Sequence, residues 1–498
     1  MTSIAVNRMK TTAIVFFLLL PSLLLGQAIA FDDYFVNKTL RIDYYHVGNG
    51  EEELVTLDHM YKQGIWAGNP LHLIDPLGYG RYSVAVYDSA TDQLIYSKGY
   101  DSYFGEYKTT GPAKDGVRRT FHESVLIPFP LKPVRVVIQV RNKHSEFEKL
   151  TSFDINPADY HINTESPLRG DEVIEALNNG DPHEKVDLVI VGDGYKSTEK
   201  EKFRKDLRRY AEVLFSLGPY KSMKKRFNIY GIFSASPQSG VDEPRQGSYK
   251  KTLLGSSFNS LDSDRYLLVE DNRVLRDIAA QVPYDLILIM VNSKRYGGGG
   301  FYGYYAAFTS DGGWSDYVFH HEFGHTFGGL ADEYYTSDVT YEDFYPEGVE
   351  PFEPNITRVS DPDNLKWKDL VSEGVEVPTE WGKSTYDSLG AAREALTKDH
   401  NEMAAQLKRD GVPADSIAGE NSAFQAALKN LNDQILKFMQ NHPLRGKVGA
   451  FEGGGYLSTG IYRPTVNSIM NQFNTSDRNF YPVNERAIRK VIEYYTGK

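Results

Sequence analysis

The sequence predicts a two-domain fold, an all-β sandwich followed by a mixed α/β (α+β) domain. Three observations lead to this prediction. Short runs rich in β-branched and aromatic residues fill residues 31–165, strands alternate with helices after about residue 180, and a helical segment interrupts the second region at 389–441. A chain of 498 residues is also too long for one ordinary domain.

Residues 1–30 are predicted to be a secretory signal peptide. Arg8 and Lys10 give a positive start, an apolar core covers residues 13–25, and Ala28-Ile29-Ala30 offers a cleavage site. The core is shorter than the ~20 apolar residues of a transmembrane helix, and Pro21 interrupts it, so a retained anchor is the weaker alternative. We expect an exported chain that is secreted, periplasmic or on the cell surface, without stable membrane insertion.

The composition excludes several classes of function. The chain has no cysteine, which removes disulfides, thiolate metal ligands and cysteine nucleophiles. Arg8 and Lys10 are two of its 55 basic residues, so the mature chain carries 53 against 67 acidic residues. An acidic protein without basic runs is a poor candidate for binding nucleic acid. An exported protein of this size without disulfides is more typical of bacteria than of eukaryotes.

Residues 31–165 are predicted to form the β-sandwich. Turn signals separate strand-like runs at Thr39–Tyr45, Arg81–Tyr87, Gln93–Lys98, Glu123–Phe129 and Val134–Val140. No cluster of chemically reactive side chains accompanies these runs. We therefore interpret this region as a structural or binding domain.

Residues 166–498 are predicted to form the second domain, around a sheet covered on both faces. Nearly continuous apolar runs, typical of such buried strands, occur at Val186–Val191, Phe227–Phe233 and Leu286–Val291. Two helical patterns within 389–441 are interpreted as a packed insertion. A tyrosine-rich run at 302–309 follows a glycine-rich segment and is a candidate strand for binding an extended peptide. A buried strand behind a surface loop explains that run equally well.

The strongest functional signal is the string His321-Glu322-Phe323-Gly324-His325. Residues four apart lie on the same face of a helix, so His321 and His325 can bind one zinc ion. Glu322 lies beside them and can serve as general base toward a water at the metal. A catalytic zinc needs a third protein ligand and leaves its fourth position to water.

The segment after His325 contains two candidates for the third ligand. Gly328 occupies the glycine position of the pattern H-E-x-x-H-x-x-G-x-x-H, where it lets the chain end the helix and turn back toward the metal. Ala331 stands where this pattern has its third ligand and cannot bind zinc. With Gly329 as one extra residue in the turn, Asp332 becomes the predicted ligand, and Glu333 is the alternative.

A turn that carries a methionine and lies beneath the metal is the second feature that accompanies this sequence pattern. Asn467-Ser468-Ile469-Met470-Asn471 fits such a turn, whereas Met403 and Met439 lie in predicted helices. Tyr462 and Arg463 precede the turn and are candidate donors to the oxyanion that forms during peptide hydrolysis.

Together these residues resemble a known family. The zinc-motif string with Gly328, Leu330, Asp332, Glu333 and Tyr334, and the late Ser468-Ile469-Met470, are similar to the M64 peptidases, the family named for bacterial immunoglobulin A proteases. The resemblance implies a metzincin-like zincin domain behind an N-terminal β-domain, with one catalytic zinc ion. It also implies a secreted zinc metalloendopeptidase that acts on proteins or peptides. It does not establish immunoglobulin as the substrate.

Two alternatives remain open. A gluzincin-type peptidase takes its third ligand from a separate helix, where Glu485 is the best-placed residue, although a first-turn carboxylate there is also favoured by the helix dipole. The other alternative is a β-sandwich binding or adhesion protein with an inactive zinc-peptidase-like domain. The intact Glu322 argues against it, because a site without activity needs no base.

Overall fold

The computed structural model describes residues 29–165, 170–335, 345–410, 418–472 and 477–497. The predicted signal peptide at 1–30 lies outside these residues, apart from its last two positions. Within the described ranges, no helix is both long enough and apolar enough to cross a bilayer.

The N-terminal region contains eight strands and three short helices. The strands are β1 Phe35–Gly48, β2 Glu53–Lys62, β3 Tyr82–Asp88, β4 Leu94–Tyr100, β5 Arg119–Pro130, β6 Val134–Arg141, β7 Phe147–Ile155 and β8 Ile162–Asn163. The helices are α1 Phe31–Tyr34, α2 Tyr103–Tyr107 and α3 Gly111–Lys114. The strands form two sheets of four, in the orders β5-β1-β2-β8 and β4-β3-β6-β7. The prediction of a sheet-rich N-terminal region is confirmed.

These two sheets share one apolar core. Alternate side chains of a strand point to the same face, so one set from each sheet is buried between them. Ile42 and Tyr44 of β1 enter this core from the first sheet, and Val84 and Val86 of β3 enter it from the second.

The second region is built on a six-stranded mixed sheet, in the order β15-β16-β14-β10-β11-β9. Its strands are β9 Glu172–Leu177, β10 Val186–Asp193, β11 Phe227–Phe233, β14 Leu286–Val291, β15 Gly298–Phe301 and β16 Tyr305–Thr309. The inner four strands are parallel, and the outer strands β9 and β15 are antiparallel to their neighbours. Two small pairs complete the strands, β12 Ser256–Ser257 with β13 Leu268–Val269 and β17 Phe451–Gly454 with β18 Leu457–Arg463.

Helices and the N-terminal region cover the two faces of this sheet. The helices are α4 Lys200–Leu214, α5 Tyr220–Met223, α6 Asn272–Ala279, α7 Ser315–Gly328, α8 Lys383–Arg409, α9 Ala418–Gln440 and α10 Tyr481–Thr496. Along β10, Leu188 and Ile190 face the core shared with α4, α7 and α10, whereas Val189 and Val191 face α6 and the N-terminal region. Burial on both faces explains the apolar runs of the sequence, and the predicted mixed α/β organisation is confirmed.

Helices α8 and α9 correspond to the predicted insertion. They pack against each other, and α8 begins at Lys383 rather than near residue 389. Trp381, Tyr386, Ile435 and Met439 anchor their base in a small apolar core.

The strand predicted at 302–309 covers only 305–309, and of its two interpretations the buried strand is confirmed. Residues 302–304 form the turn of a hairpin between β15 and β16. Strand β16 is buried and pairs with β15 on one side and β14 on the other, so it offers no edge to a peptide. Which strand is outermost depends on pairing partners elsewhere in the chain, and local composition does not reveal it.

A buried histidine stabilises the first sheet of the N-terminal region. His46 Nδ1 lies 2.9 Å from Glu123 Oε2, and His46 Nε2 lies 2.9 Å from Glu53 Oε1. Burial acts to lower the pKa of His46, but the two carboxylates outweigh burial and raise this pKa from 6.5 to about 9. The stabilisation is therefore fully present below about pH 6.5 and is lost as the pH rises through about 9.

We expect His46→Gln to lower the free energy of unfolding by about 3–5 kcal/mol at pH 6, because it removes the cation between two buried carboxylates. The loss should be smaller at about pH 9.5, where the wild-type imidazole is itself neutral. Urea unfolding at both pH values measures this difference. His161→Gln, at an exposed histidine that pairs with Asp159, is the matched control. An equal effect of His46→Gln at both pH values would contradict the prediction.

Candidate metal centre

The zinc-motif string lies on α7, which is buried along nearly its whole length. Phe319, Phe323 and Phe327 are four residues apart, and their rings stack on one another within the core. This apolar face fixes the rotation of the helix. His321 and His325, which are also four residues apart, therefore lie together on another face.

Helix α7 ends one residue later than the sequence pattern predicts. Gly328 is still helical, and the residue that reverses the chain is Gly329, with φ of 62° in the left-handed region. A Cβ atom at Gly329 would lie 2.8 Å from the ring of Tyr79. The assignment of the turn to Gly328 is thus corrected. Gly328 instead allows close packing, since a Cβ there would lie 3.2 Å from Ile488.

The turn at Gly329 brings Asp332 to the two histidines. Asp332 Oδ1 lies 3.1 Å from His321 Nε2 and 3.3 Å from His325 Nε2. The two Nε2 atoms are 3.1 Å apart. In the part of the chain that the structure describes, two such groups of three side chains have their ligand atoms within 4.8 Å of one another. The other group is Asp43, Asp58 and His122.

The first group has the donor atoms of a metal site. His321 Nδ1 lies 2.9 Å from Ile469 O, and His325 Nδ1 lies 2.6 Å from Leu330 O. Because a carbonyl oxygen only accepts, each Nδ1 donates to it, which leaves Nε2 as the nitrogen that can bind a metal. Asp332 Oδ1 is buried, and no described residue donates to it. Two imidazole nitrogens and one carboxylate oxygen that converge in this way fit a divalent cation with two imidazole ligands and one carboxylate ligand.

The second group is already neutralised by basic side chains. Arg41 donates to both oxygens of Asp43, and Arg273 pairs with Asp58. Arg41 also binds Asp277 of α6 at 2.7 Å. We interpret these residues as an ion-pair network that joins the N-terminal region to α6.

Tyr456 holds the Asp332 carboxylate in place. Its hydroxyl donates a 2.5 Å hydrogen bond to Asp332 Oδ2, the oxygen turned away from the histidines. Tyr456 lies in the turn between β17 and β18 and lines the same cleft. No sequence motif singles out Tyr456, although the preceding Gly453-Gly454-Gly455 indicates a tight turn.

Glu322 lies beside the histidines with its carboxylate toward β15. The glycines of β15 make room for it, because a Cβ at Gly298 would lie 3.0 Å from Glu322 Oε1 and a Cβ at Gly300 would lie 3.3 Å from Oε2. Burial raises the pKa of Glu322 above its ordinary value, while the two histidines act in the opposite direction. A carboxylate with a raised pKa accepts a proton more readily than an exposed one.

Met470 lies directly against α7. A Cβ at Gly324 would lie 2.6 Å from Met470 Sδ, so the helix rests on this turn only because residue 324 is glycine. The carbonyl of the preceding Ile469 is the acceptor for His321 described above. The turn therefore supports both the helix and one candidate ligand.

Glu333 points away from the ligand group. Its buried carboxylate accepts hydrogen bonds from Ser468 Oγ at 2.6 Å, Asn484 Nδ2 at 2.9 Å and Asn355 Nδ2 at 3.0 Å. These bonds tie the segment after α7 to the Met470 turn and to α10. Of the two adjacent carboxylates, the structure brings Asp332 to the histidines.

Comparison with protein families identifies the chain. A family model described as IgA Peptidase M64 matches residues 174–492. The chain belongs to the M64 peptidase family. A second model, described as Peptidase M64 N-terminus, matches residues 30–152, so the predicted resemblance is confirmed in both regions. No match was found among curated proteins. M64 membership makes the protein a peptidase, which acts on protein or peptide substrates.

In this M64 peptidase, Tyr462 and Arg463 lie away from the cleft. The buried Arg463 guanidinium donates to main-chain carbonyls of the β17 strand and of Val466, and the Tyr462 main chain pairs with Thr357. Neither residue is among the described residues that line the cleft. Arg463 instead braces the chain just before the Met470 turn.

Glu485, the ligand of the gluzincin alternative, also lies elsewhere. It is on α10, where its carboxylate lies against Gly218 and is 3.6 Å from Arg489. It belongs to neither group of candidate ligands.

Proposed function

We propose that this M64 peptidase is an exported, zinc-dependent endopeptidase with a metzincin-like catalytic domain. The observation that carries the proposal is the convergence of His321 Nε2, His325 Nε2 and Asp332 Oδ1 within 3.3 Å of one another. The glycine turn after α7 and the methionine turn against it support the metzincin-like assignment. Export rests on the signal-like residues 1–30.

The residues around the ligands have separable roles in peptide hydrolysis. A zinc ion bound at His321, His325 and Asp332 would polarise the scissile carbonyl and lower the pKa of a bound water toward ~7. Glu322 accepts a proton from the attacking water and returns it to the leaving amine. Tyr456 keeps Asp332 Oδ1 directed at the histidines through its bond to Oδ2.

A peptide substrate would lie in the cleft beside β15, where the main chain of Gly298 already bonds to Arg265 O and Leu267 N. Gly298 and Gly300 of this strand line the cleft beside Glu322.

Zinc content per chain, measured by elemental analysis, tests the proposal. We expect about one zinc ion in the wild-type protein and little in His325→Ala prepared in parallel, because a catalytic site with only two remaining ligands binds zinc weakly. His320→Gln is the matched control on the same helix, since His320 Nδ1 faces Asp316 O instead of the ligand group. Absence of zinc from the wild-type protein, even after metal is added, would refute zinc dependence.

A further inference from the structure

The cleft at the metal centre continues toward the N-terminal region, which supplies part of its wall. Gly80, Asp101 and Glu106 line it from that region, and Glu353 lines it from the second region. The two regions are joined at this point by a 2.7 Å hydrogen bond from Asp101 N to Tyr302 O. The cleft at the metal centre is therefore lined by both regions.

Glu353 is a buried carboxylate with one oxygen unused. The residue is only 6% exposed, and its Oε1 accepts a 3.0 Å hydrogen bond from Tyr345. Its Oε2 is buried and has no hydrogen-bond partner within the described ranges. A buried, unpartnered carboxylate oxygen is costly, and a ligand that donates to it removes that cost.

Asp101 and Glu106 add two more carboxylates to the same wall. Asp101 Oδ1 accepts a 2.6 Å hydrogen bond from Arg81 N, and Glu106 Oε2 lies 3.3 Å from the Tyr266 hydroxyl. These contacts are with neutral donors, so they add no positive charge beside either carboxyl group.

Basic side chains also lie near this wall. Arg265 lines the cleft and donates to the Tyr334 hydroxyl at 3.1 Å, and three others donate to main-chain carbonyls. The Arg141 guanidinium donates to the carbonyls of Gly78, Gly80 and Ser145. Lys366 Nζ donates to three carbonyls and pairs with Glu350 at 2.9 Å. Arg81 Nη1 donates to Gly105 O at 3.2 Å.

Burial dominates the electrostatics of this wall, although the Arg81 guanidinium interacts with all three carboxylates. Burial raises the pKa of Glu106 to about 7, although Arg81 acts to lower it, and burial raises the pKa of Glu353 to about 7 against the effect of Lys366. The pKa of Asp101 is also raised by burial. A cation placed among these groups would stabilise all three carboxylates at once.

We propose that Asp101, Glu106 and Glu353 form a specificity subsite that binds a basic side chain, lysine or arginine, of the peptide substrate near the scissile bond. The inference rests on the proposed endopeptidase function of the adjacent metal centre. Aromatic rings of Tyr266 and Phe352 line the same cleft and suit the aliphatic stem of a long basic side chain.

Matched peptides test the subsite. A peptide library is first digested by the zinc-loaded protein, and mass spectrometry locates the cleaved bonds; we expect lysine or arginine to be enriched at one fixed position. Two peptides that differ only there, one with lysine and one with norleucine, should then differ in kcat/KM by about tenfold or more.

Two variants connect this preference to the named carboxylates. Glu353→Gln should reduce the lysine-to-norleucine ratio of kcat/KM by about tenfold. Glu106→Lys, at a partly exposed position, should shift the preference toward a peptide with glutamate, which a purely structural role would not produce. Glu347→Gln, at an exposed residue of the loop before Glu353, is the control, and zinc content verifies the fold of each variant.

The outcomes separate the two proposals. Cleavage without a basic preference, or a preference unchanged in both variants, overturns the subsite and leaves the endopeptidase function standing. If the zinc-loaded protein cleaves no peptide at all, both proposals are overturned.

Discussion

Glu322→Gln is expected to reduce kcat by a factor of about 10²–10⁴ while the protein keeps its zinc. Glutamine has nearly the shape of glutamate, so it fills the space left by Gly298 and Gly300. It cannot accept the proton of the attacking water. Since Glu322 is not one of the three candidate ligands, the metal should be unaffected.

Single-turnover kinetics on a cleaved peptide, together with zinc analysis of the same preparation, measure both quantities. Asp316→Asn, on the first turn of the same helix, is a suitable control because Asp316 pairs with Arg209 at the surface. If Glu322→Gln kept kcat within about threefold of the wild type, another group would have to serve as the base.

Asp332→Ala is expected to weaken zinc binding strongly, because it removes a ligand. Substitution of a residue that only hydrogen-bonds to a metal ligand typically weakens binding by a factor of about 10–100, and the effect of Asp332→Ala should exceed this factor. Glu333→Gln is expected to retain zinc and to lower the free energy of unfolding by about 1–3 kcal/mol. The physical reason is the direction of the two side chains. Asp332 Oδ1 meets both histidines, whereas Glu333 accepts three hydrogen bonds that join separate segments of the fold.

Zinc affinity measured against a competing chelator, with urea unfolding of the same variants, separates a ligand from a structural carboxylate. Each variant serves as the control of the other, because the residues are adjacent and both are buried. Loss of zinc in Glu333→Gln and its retention in Asp332→Ala would reverse the assignment.

The pairing of His321 with His325 was accessible from the sequence because it depends only on helical geometry. The periodicity of 3.6 residues places both imidazoles on one face wherever the helix lies. The sequence favoured Asp332 over Glu333 but did not fix where either carboxylate lies, since that depends on one left-handed glycine and on Ser468 and Asn484, which lie 135 and 151 residues from Glu333.

The strand at 302–309 illustrates the same limit for the fold. Apolar and aromatic residues correctly indicated extended chain, but the hairpin turn and the order of strands in the sheet were invisible. The three carboxylates that line the cleft illustrate this limit more strongly. Asp101 and Glu106 belong to one region and Glu353 to the other, so no local pattern connects them.

The sequence by itself therefore determined what short-range geometry controls. This includes the alternating strands of the N-terminal region, the doubly buried strands of the second region, the histidine pair and the family resemblance. The tertiary structure alone decided which carboxylate reaches the histidines, which strand is outermost and which distant acidic side chains share the cleft. These properties arise when segments far apart in the chain pack together, and the free energy of that packing is not encoded in any single stretch of residues.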